Sequence, residues 1–185
     1  MATKDSTAFP KPVGEVKDAP SFRIAIVKAE WNSSITNAME TAALEELQKA
    51  GVPLQGILRS TVPGSFELTS GAQMMLENTR AEAVICLGCV IQGETRHFDF
   101  ICQAVAGGLT ELGIKYKKTV IFGVLTTNDL EQALSRAGGK LGNKGTEAAA
   151  AALKMVSLQR SFFQTKRDIV GFNRSNSTEQ ASKED

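Results

Sequence analysis

Four short apolar runs, each followed by a stretch of helical spacing, constrain this chain more than any other feature. The first is F-R-I-A-I-V at 22–27. The others lie near 54–61, at 83–87 continuing towards Ile91, and at 119–125, T-V-I-F-G-V-L. Strands apolar on both faces are buried on both faces. After the first run, Ile35, Ala38, Met39, Ala42 and Leu47 share a helical face. Leu68, Ala72, Met75 and Leu76 repeat the pattern after the second run, and Ile101, Val105, Leu109 and Leu112 after the third. Ser34 and Ser65 are placed to cap the first two helices, and Gly51 ends the first. Asn128 with Glu131 forms a capping-box pattern before a helix ending at Gly138 and Gly139, and an Ala-rich last helix runs from Asn143. Strand–helix alternation of this kind predicts an α/β fold: a three-layer αβα sandwich with a central, mainly four-stranded parallel sheet.

The 185 residues suit one domain. Residues 1–20, with Pro10, Pro12 and Pro20, read as an arm outside the core. Residues 21–163 are expected to form the main folded domain, and 164–185 a polar, disordered tail. A formal charge of +1, from 21 basic and 20 acidic residues, argues against a surface built to track nucleic acid. The start of the chain has no apolar run long enough for a signal peptide or a membrane span, so a cytoplasmic protein is expected. Cys86, Cys89 and Cys102 lie in apolar segments, as reduced, buried thiols do. Cys86 and Cys89 read C-x-x-C, but three residues apart on a strand they point to opposite faces. With one histidine in the chain, no metal site is expected either.

In parallel α/β sheets ligands bind beyond the carboxyl ends of the strands. The unusual residues of this chain fall there: Trp31 and Asn32, the segment 63–67, the segment 92–97, and 126–128. Gln92-Gly93-Glu94-Thr95-Arg96-His97 is the densest cluster. Gly93 permits close approach to a ligand, the N–H groups entering a helix at 95–97 suit an anion, and His97 can move protons near neutral pH. The bland alternative is a helix-start histidine satisfied by backbone groups; Gly93 and Thr95 favour the chemical reading. The turn V-P-G-S-F-E at 62–67 offers N–H groups, the Phe66 ring and the Glu67 carboxylate, a set that can hold a planar heterocycle. It is equally a simple strand–helix connection. Arg136 and Lys144 flank a Gly-rich segment and can grip a phosphate, or else border a solvated hinge; the segment is not a Walker A loop.

Taken together and in order, these segments resemble the lumazine synthases (6,7-dimethyl-8-ribityllumazine synthases) of riboflavin biosynthesis. The carriers are Trp31-Asn32, V-P-G-S-F-E at 62–67, G-C-V-I-Q-G-E-T-R-H-F-D at 88–99, V-I-F-G-V-L-T-T at 120–127, Q-A-L-S-R-A-G at 132–138 and G-N-K-G at 142–145. The resemblance runs from Phe22 to Phe162 and implies a flavodoxin-like sandwich. It implies that Trp31, where the family more often has phenylalanine, stacks on the pyrimidine substrate. Ser65, Phe66 and Glu67 would hold its ribityl chain and ring edge, while Cys89, Val90 and Ile91 line its pocket and Phe122 closes it. Glu94 and Thr95 would hold the phosphorylated substrate, with Arg136 and Lys144 binding its phosphate across a subunit boundary. His97 would shuttle protons. Gln92 departs from the arginine that many relatives carry.

The implied reaction condenses 5-amino-6-(D-ribitylamino)uracil with 3,4-dihydroxy-2-butanone 4-phosphate and needs no metal or organic cofactor. The implied partners are these two small molecules and further copies of the chain. A pentamer is expected, and because the segment 138–145 is short, a sixty-subunit icosahedral shell built from twelve of them. Three rivals carry different expectations. A non-catalytic flavin- or phosphate-binding module would leave His97 and Arg136 unexplained. A shell protein with a decayed site would not be expected to keep His97, Arg136 and Lys144. A lumazine-synthase-like riboflavin synthase would consume lumazine alone.

Overall fold

The four apolar runs pair into one parallel sheet: β1 (Ile24–Ala29), β2 (Ile57–Val62), β3 (Ala83–Ile91) and β4 (Thr119–Thr127), in the order β2-β1-β3-β4. Ile24 sits between Ile57 and Ala83, and Ala83 pairs onward with Thr119. The computed structural model describes residues 13–172, with the side chains of residues 13–163. Five helices accompany the sheet: α1 (Ser33–Lys49), α2 (Leu68–Asn78), α3 (His97–Tyr116), α4 (Leu130–Arg136) and α5 (Lys144–Phe172).

Alternation along β3 divides the interior in two. Ile85, Leu87 and Cys89 join one core with Ile35, Met39 and Leu47 of α1 and Ala149, Leu153 and Val156 of α5. Val84 and Cys86 join the other with Leu68 and Ala72 of α2 and Val105, Leu109 and Leu112 of α3. The result is the expected three-layer sandwich, with each face of the central strands apolar because each is covered. Cys86 and Cys89 do face opposite ways. Burial pushes the Cys86 thiol up to about 12 and the Cys89 thiol up to about 11, so neither is a ready thiolate.

Close approach of α5 to α1 depends on one glycine. A Cβ at Gly145 would lie 1.8 Å from the Met39 carbonyl oxygen. Asn143 secures the same crossing, donating from Nδ2 to the Ala38 carbonyl at 3.2 Å and accepting the Gly145 N–H at 2.8 Å.

Several local expectations are corrected. Ser34 does not cap α1. The cap is Asn32, in the left-handed region, whose carbonyl accepts the Ile35 and Thr36 N–H groups. The buried face of α1 is turned slightly from the expected one: Ala43 is buried, while Ala38 and Ala42 are half-buried. Ser65 does not cap α2 with its hydroxyl; its carbonyl accepts the Leu68 N–H at 3.2 Å, and Glu67 stands at the cap position. The capping box of α4 lies one residue on: Asp129 accepts the Gln132 N–H at 2.7 Å, and the Gln132 side chain accepts the Asn128 N–H at 3.1 Å. A 3₁₀ turn at Leu54–Gly56 delays the start of β2. The Gly-rich stretch after α4 is a small antiparallel hairpin, β5 (Ala137–Gly139) and β6 (Gly142–Asn143), not an open hinge.

The edges of the domain also differ from the sequence reading. Val13 and Val16 pack on the first core, Ala19 is fully buried, and Glu46 accepts the Val13 N–H at 2.7 Å. The chain from 13 therefore belongs to the packed body, since its small apolar residues cover the end of α1. Helix α5 continues through Phe172, past the boundary expected at 163, with no glycine or proline between 163 and Gly171 to end it. The rest of the arm, 1–12, and of the tail, 173–185, lie outside the described residues. Among the described residues no helix is long and apolar enough to cross a membrane.

Candidate active site

The chain reverses its direction of strand addition between β1 and β3, and this is where a doubly wound sheet opens a crevice. A cavity of about 860 Å³ occupies it. Three chain segments make the walls, and α3 makes the rim.

The first wall follows β1 and β2. The ladder between them runs on past the strands, with Glu30 N–H donating to Val62 and Trp31 N–H to Pro63 at 3.1 Å. This sets Trp31 at the mouth, 70% exposed. The 62–67 turn then folds back over β3. Gly88 makes room for it, because a Cβ there would sit 2.7 Å from Ser65 Oγ and 2.9 Å from Leu68 Cδ1. Ser65 is buried and among the described residues its hydroxyl has no hydrogen-bond partner. A buried, unmatched hydroxyl on a cavity wall is a polar group awaiting one. Glu67 closes the turn, Oε2 accepting the Gly64 N–H at 2.9 Å, and Phe66 projects 54% exposed.

The second wall is the end of β3, Cys89, Val90 and Ile91. The strand is held in place on its far side by Gln92 N–H donating to Thr127 at 2.8 Å. His97 opens α3, exposed, its N–H 3.4 Å from Thr95 Oγ1. Phe100, Ile101 and Ala104 complete the lining from the same helix. The sequence reading left Phe100 and Ala104 out and placed Ile101 with the core. The spacing 97, 100, 101, 104 is one helical face and is the signal that would have found them. Gly64 and Asn32 also line the cavity.

The single chain thus gathers Trp31, Ser65, Phe66, Glu67, Cys89, Val90, Ile91 and His97 around one space. It does not bring the other expected residues there. Glu94 and Thr95 are exposed in the turn before α3. Phe122 lies on β4 at the sheet edge, opposite Cys86, and is 37% exposed. Arg136 is nearly buried at the end of α4, its Nη1 donating to Leu141 O at 2.5 Å and its Nη2 2.7 Å from Glu147 Oε1. Lys144 Nζ lies 3.4 Å from the other oxygen of Glu147. Arg136 and Lys144 thus share the Glu147 carboxylate.

An aromatic mouth, an unmatched hydroxyl, a carboxylate and a histidine at the end of β1–β3 suit a planar, hydroxyl-bearing heterocycle. The comparison with known sequences is decisive about kinship: residues 21–160 match the family model for 6,7-dimethyl-8-ribityllumazine synthase. The chain belongs to the lumazine synthase family. Among its relatives, the 6,7-dimethyl-8-ribityllumazine synthase of Cytophaga hutchinsonii is 57% identical over 144 residues, covering 78% of this chain and 91% of the relative. The one from Flavobacterium johnsoniae is 46% identical over 160 residues, 86% of this chain and 84% of the relative. The one from Parabacteroides distasonis is 46% identical over 157 residues, 85% and 98% respectively. The matched residues include the cavity walls, the β4 edge and the Arg136–Lys144–Glu147 cluster.

Proposed function

We propose that this chain condenses 5-amino-6-(D-ribitylamino)uracil with 3,4-dihydroxy-2-butanone 4-phosphate to 6,7-dimethyl-8-ribityllumazine in riboflavin biosynthesis. The single observation that carries the reading is the family match over 21–160, within which the segments at 31–32, 64–67 and 89–104 line one cavity. The primary amine of the pyrimidine adds to the ketone and water leaves. Phosphate is then eliminated, and the ribityl-bearing nitrogen closes the ring with loss of a second water. Trp31 and Phe66 present flat faces to the pyrimidine, and Ser65 and Glu67 offer polar partners to the ribityl hydroxyls. The backbone of Cys89–Ile91 meets the ring edge, and His97 at the rim relays protons. Both substrates are reactive already, so much of the acceleration is orientation in one pocket.

The phosphate is taken by Arg136 and Lys144 with Glu94 and Thr95, and the site is completed by a second copy of the chain. Support comes from the placement of Phe122, Arg136 and Lys144 outside the cavity of their own chain. The β4 edge supplies further support: Ile114, Met155, Leu158 and Phe162 stand exposed along a groove beside it. A head-to-tail contact of this edge with another copy closes into a ring, here a pentamer, and twelve pentamers make the shell. The enzyme works in the cytoplasm.

The test is incubation of the purified full chain with the two substrates. Lumazine and phosphate in equal amounts are expected without added metal or nucleotide. No product, or activity abolished by exhaustive chelation, overturns the reading; riboflavin formed from lumazine alone points to the sister activity. Analytical ultracentrifugation tests the assembly: a megadalton particle is expected, a roughly hundred-kilodalton species means free pentamers, and an active monomer refutes the shared site.

A further inference from the structure

Trp31 and Asn32, just beyond β1, tie both walls of the cavity together, and Asn32 has no part in the reaction as described. Trp31 belongs to the first wall: its N–H donates to Pro63, and its ring lies over Gly64, where a Cβ would sit 3.6 Å from Trp31 Cε3. Asn32 reaches the other way. Its Nδ2 donates to the Cys89 carbonyl oxygen at 3.0 Å, at the beginning of the second wall. Its backbone is left-handed, φ 56° and ψ 45°, a conformation that asparagine tolerates far better than most residues with a Cβ. Its own carbonyl receives the first two hydrogen bonds of α1.

Three demands therefore meet at position 32: a left-handed backbone, a helix start and a side-chain donor of the right length. Glycine meets the first two and has no donor. Aspartate meets them as well but would turn an acceptor towards the Cys89 oxygen. Asparagine satisfies all three.

We propose that Asn32 is a positioning residue for the pyrimidine substrate. By holding the Cys89 carbonyl it sets the separation between the Trp31 ring and the Cys89–Ile91 backbone, and so the slot into which a planar heterocycle fits. The inference rests on the reaction proposed above. It concerns binding geometry, so it predicts an effect on the heterocycle and not on the phosphorylated partner.

Three variants of the full chain separate the side-chain bond from the backbone conformation. Asn32→Gly and Asn32→Asp both tolerate the left-handed backbone and both lose the donor; Asn32→Ala loses both features. KM for the ribitylaminouracil is expected to rise about tenfold in the Gly and Asp variants, the worth of one hydrogen bond. KM for the butanone phosphate and kcat should change less than about threefold. Titration with lumazine, followed by emission of Trp31, the only tryptophan in the chain, should show the same loss of affinity. Gly and Asp variants that match the wild type, with Ala alone impaired, overturn the proposal in favour of a purely backbone role. Equal rises in both KM values overturn it as a general structural loss. A wild-type chain that binds lumazine without forming it overturns the reaction alone, and the titration then decides Asn32. One that neither forms nor binds lumazine overturns both.

Discussion

Arg136 donates to Glu147 at 2.7 Å, Nη2 to Oε1, with both side chains almost withdrawn from solvent. The pair fixes the guanidinium beside Lys144, which shares the same carboxylate. A phosphate contact made by a guanidinium so held loses little motion on binding. Arg136→Ala should raise KM for the phosphorylated substrate roughly 10- to 150-fold, the equivalent of about 1.5–3 kcal/mol for a charged hydrogen bond. KM for the pyrimidine should stay near its wild-type value. Steady-state kinetics with each substrate varied in turn make the comparison, and equal weakening of both contradicts the assignment.

His97 stands exposed at the first position of α3, its backbone N–H 3.4 Å from Thr95 Oγ1, and among the described residues its imidazole makes no side-chain hydrogen bond. Its imidazole therefore carries little of the fold. His97→Ala should lower kcat roughly ten- to a thousandfold while leaving the thermal midpoint within about 2 °C. An unchanged rate would make His97 a bystander.

Gly145 lets α5 cross α1 almost in backbone contact. The methyl of Gly145→Ala cannot be accommodated by a rotamer change, since the atom it meets is the Met39 carbonyl. A loss of about 3 kcal/mol is expected, seen as a drop of roughly 6–12 °C in the thermal midpoint. Because α5 also carries Lys144 and Glu147, KM for the phosphorylated substrate should rise in the same variant. A midpoint equal to that of the wild type would mean that the two helices can separate freely.

Glu40 sits between Lys28 Nζ at 3.1 Å and Arg59 Nε at 2.9 Å. Burial pushes its carboxyl upward, but the hydrogen bonds from Lys28 and then Arg59, with their charges, together hold it below its ordinary value of 4.5. A carboxylate depressed in the folded state adds stability that is complete above 4.5 and is lost as pH falls through the lowered value. Glu40→Gln should therefore cost about 2 kcal/mol at pH 7 and progressively less towards pH 3. Chemical denaturation of both proteins across that range measures the difference, and a gap that does not narrow in acid would exclude the linkage.

Much of this molecule was legible in one dimension. Residues 24–27 and 83–87 are apolar without alternation, as suits a strand covered on both faces, whereas 119–125 is equally apolar although β4 is an edge strand with Phe122 exposed. The spacing of Val105, Leu109 and Leu112 likewise allows only a helix with one buried side. The position of the cavity followed too, because aromatic, polar and glycine residues clustered after the strands, where the sheet has to open. The helix starts were read less well. Ser34, Ser65 and Asn128 all have the right chemistry for a cap, and which neighbour takes the role depends on backbone dihedrals that composition does not specify. At Asn32 the deciding contact is the Cys89 carbonyl, fifty-seven positions away.

The sequence by itself determined the alternation of strands and helices, the two apolar faces of the sheet and the family of the chain, because each is written in local periodicity or in ordered motifs. Only the tertiary structure decided which residues share a space. Ser65 is an ordinary capping serine until Gly88 brings β3 beneath it and buries its hydroxyl. Phe100 and Ala104 join His97 only because the start of α3 leans over the end of β3. Arg136 and Lys144 read as two free cations in sequence, yet Glu147 holds both on the far side of the hairpin, outside the cavity of their own chain. Such relations depend on distances across the fold, and local pattern fixes which side of an element is buried but not what it is buried against.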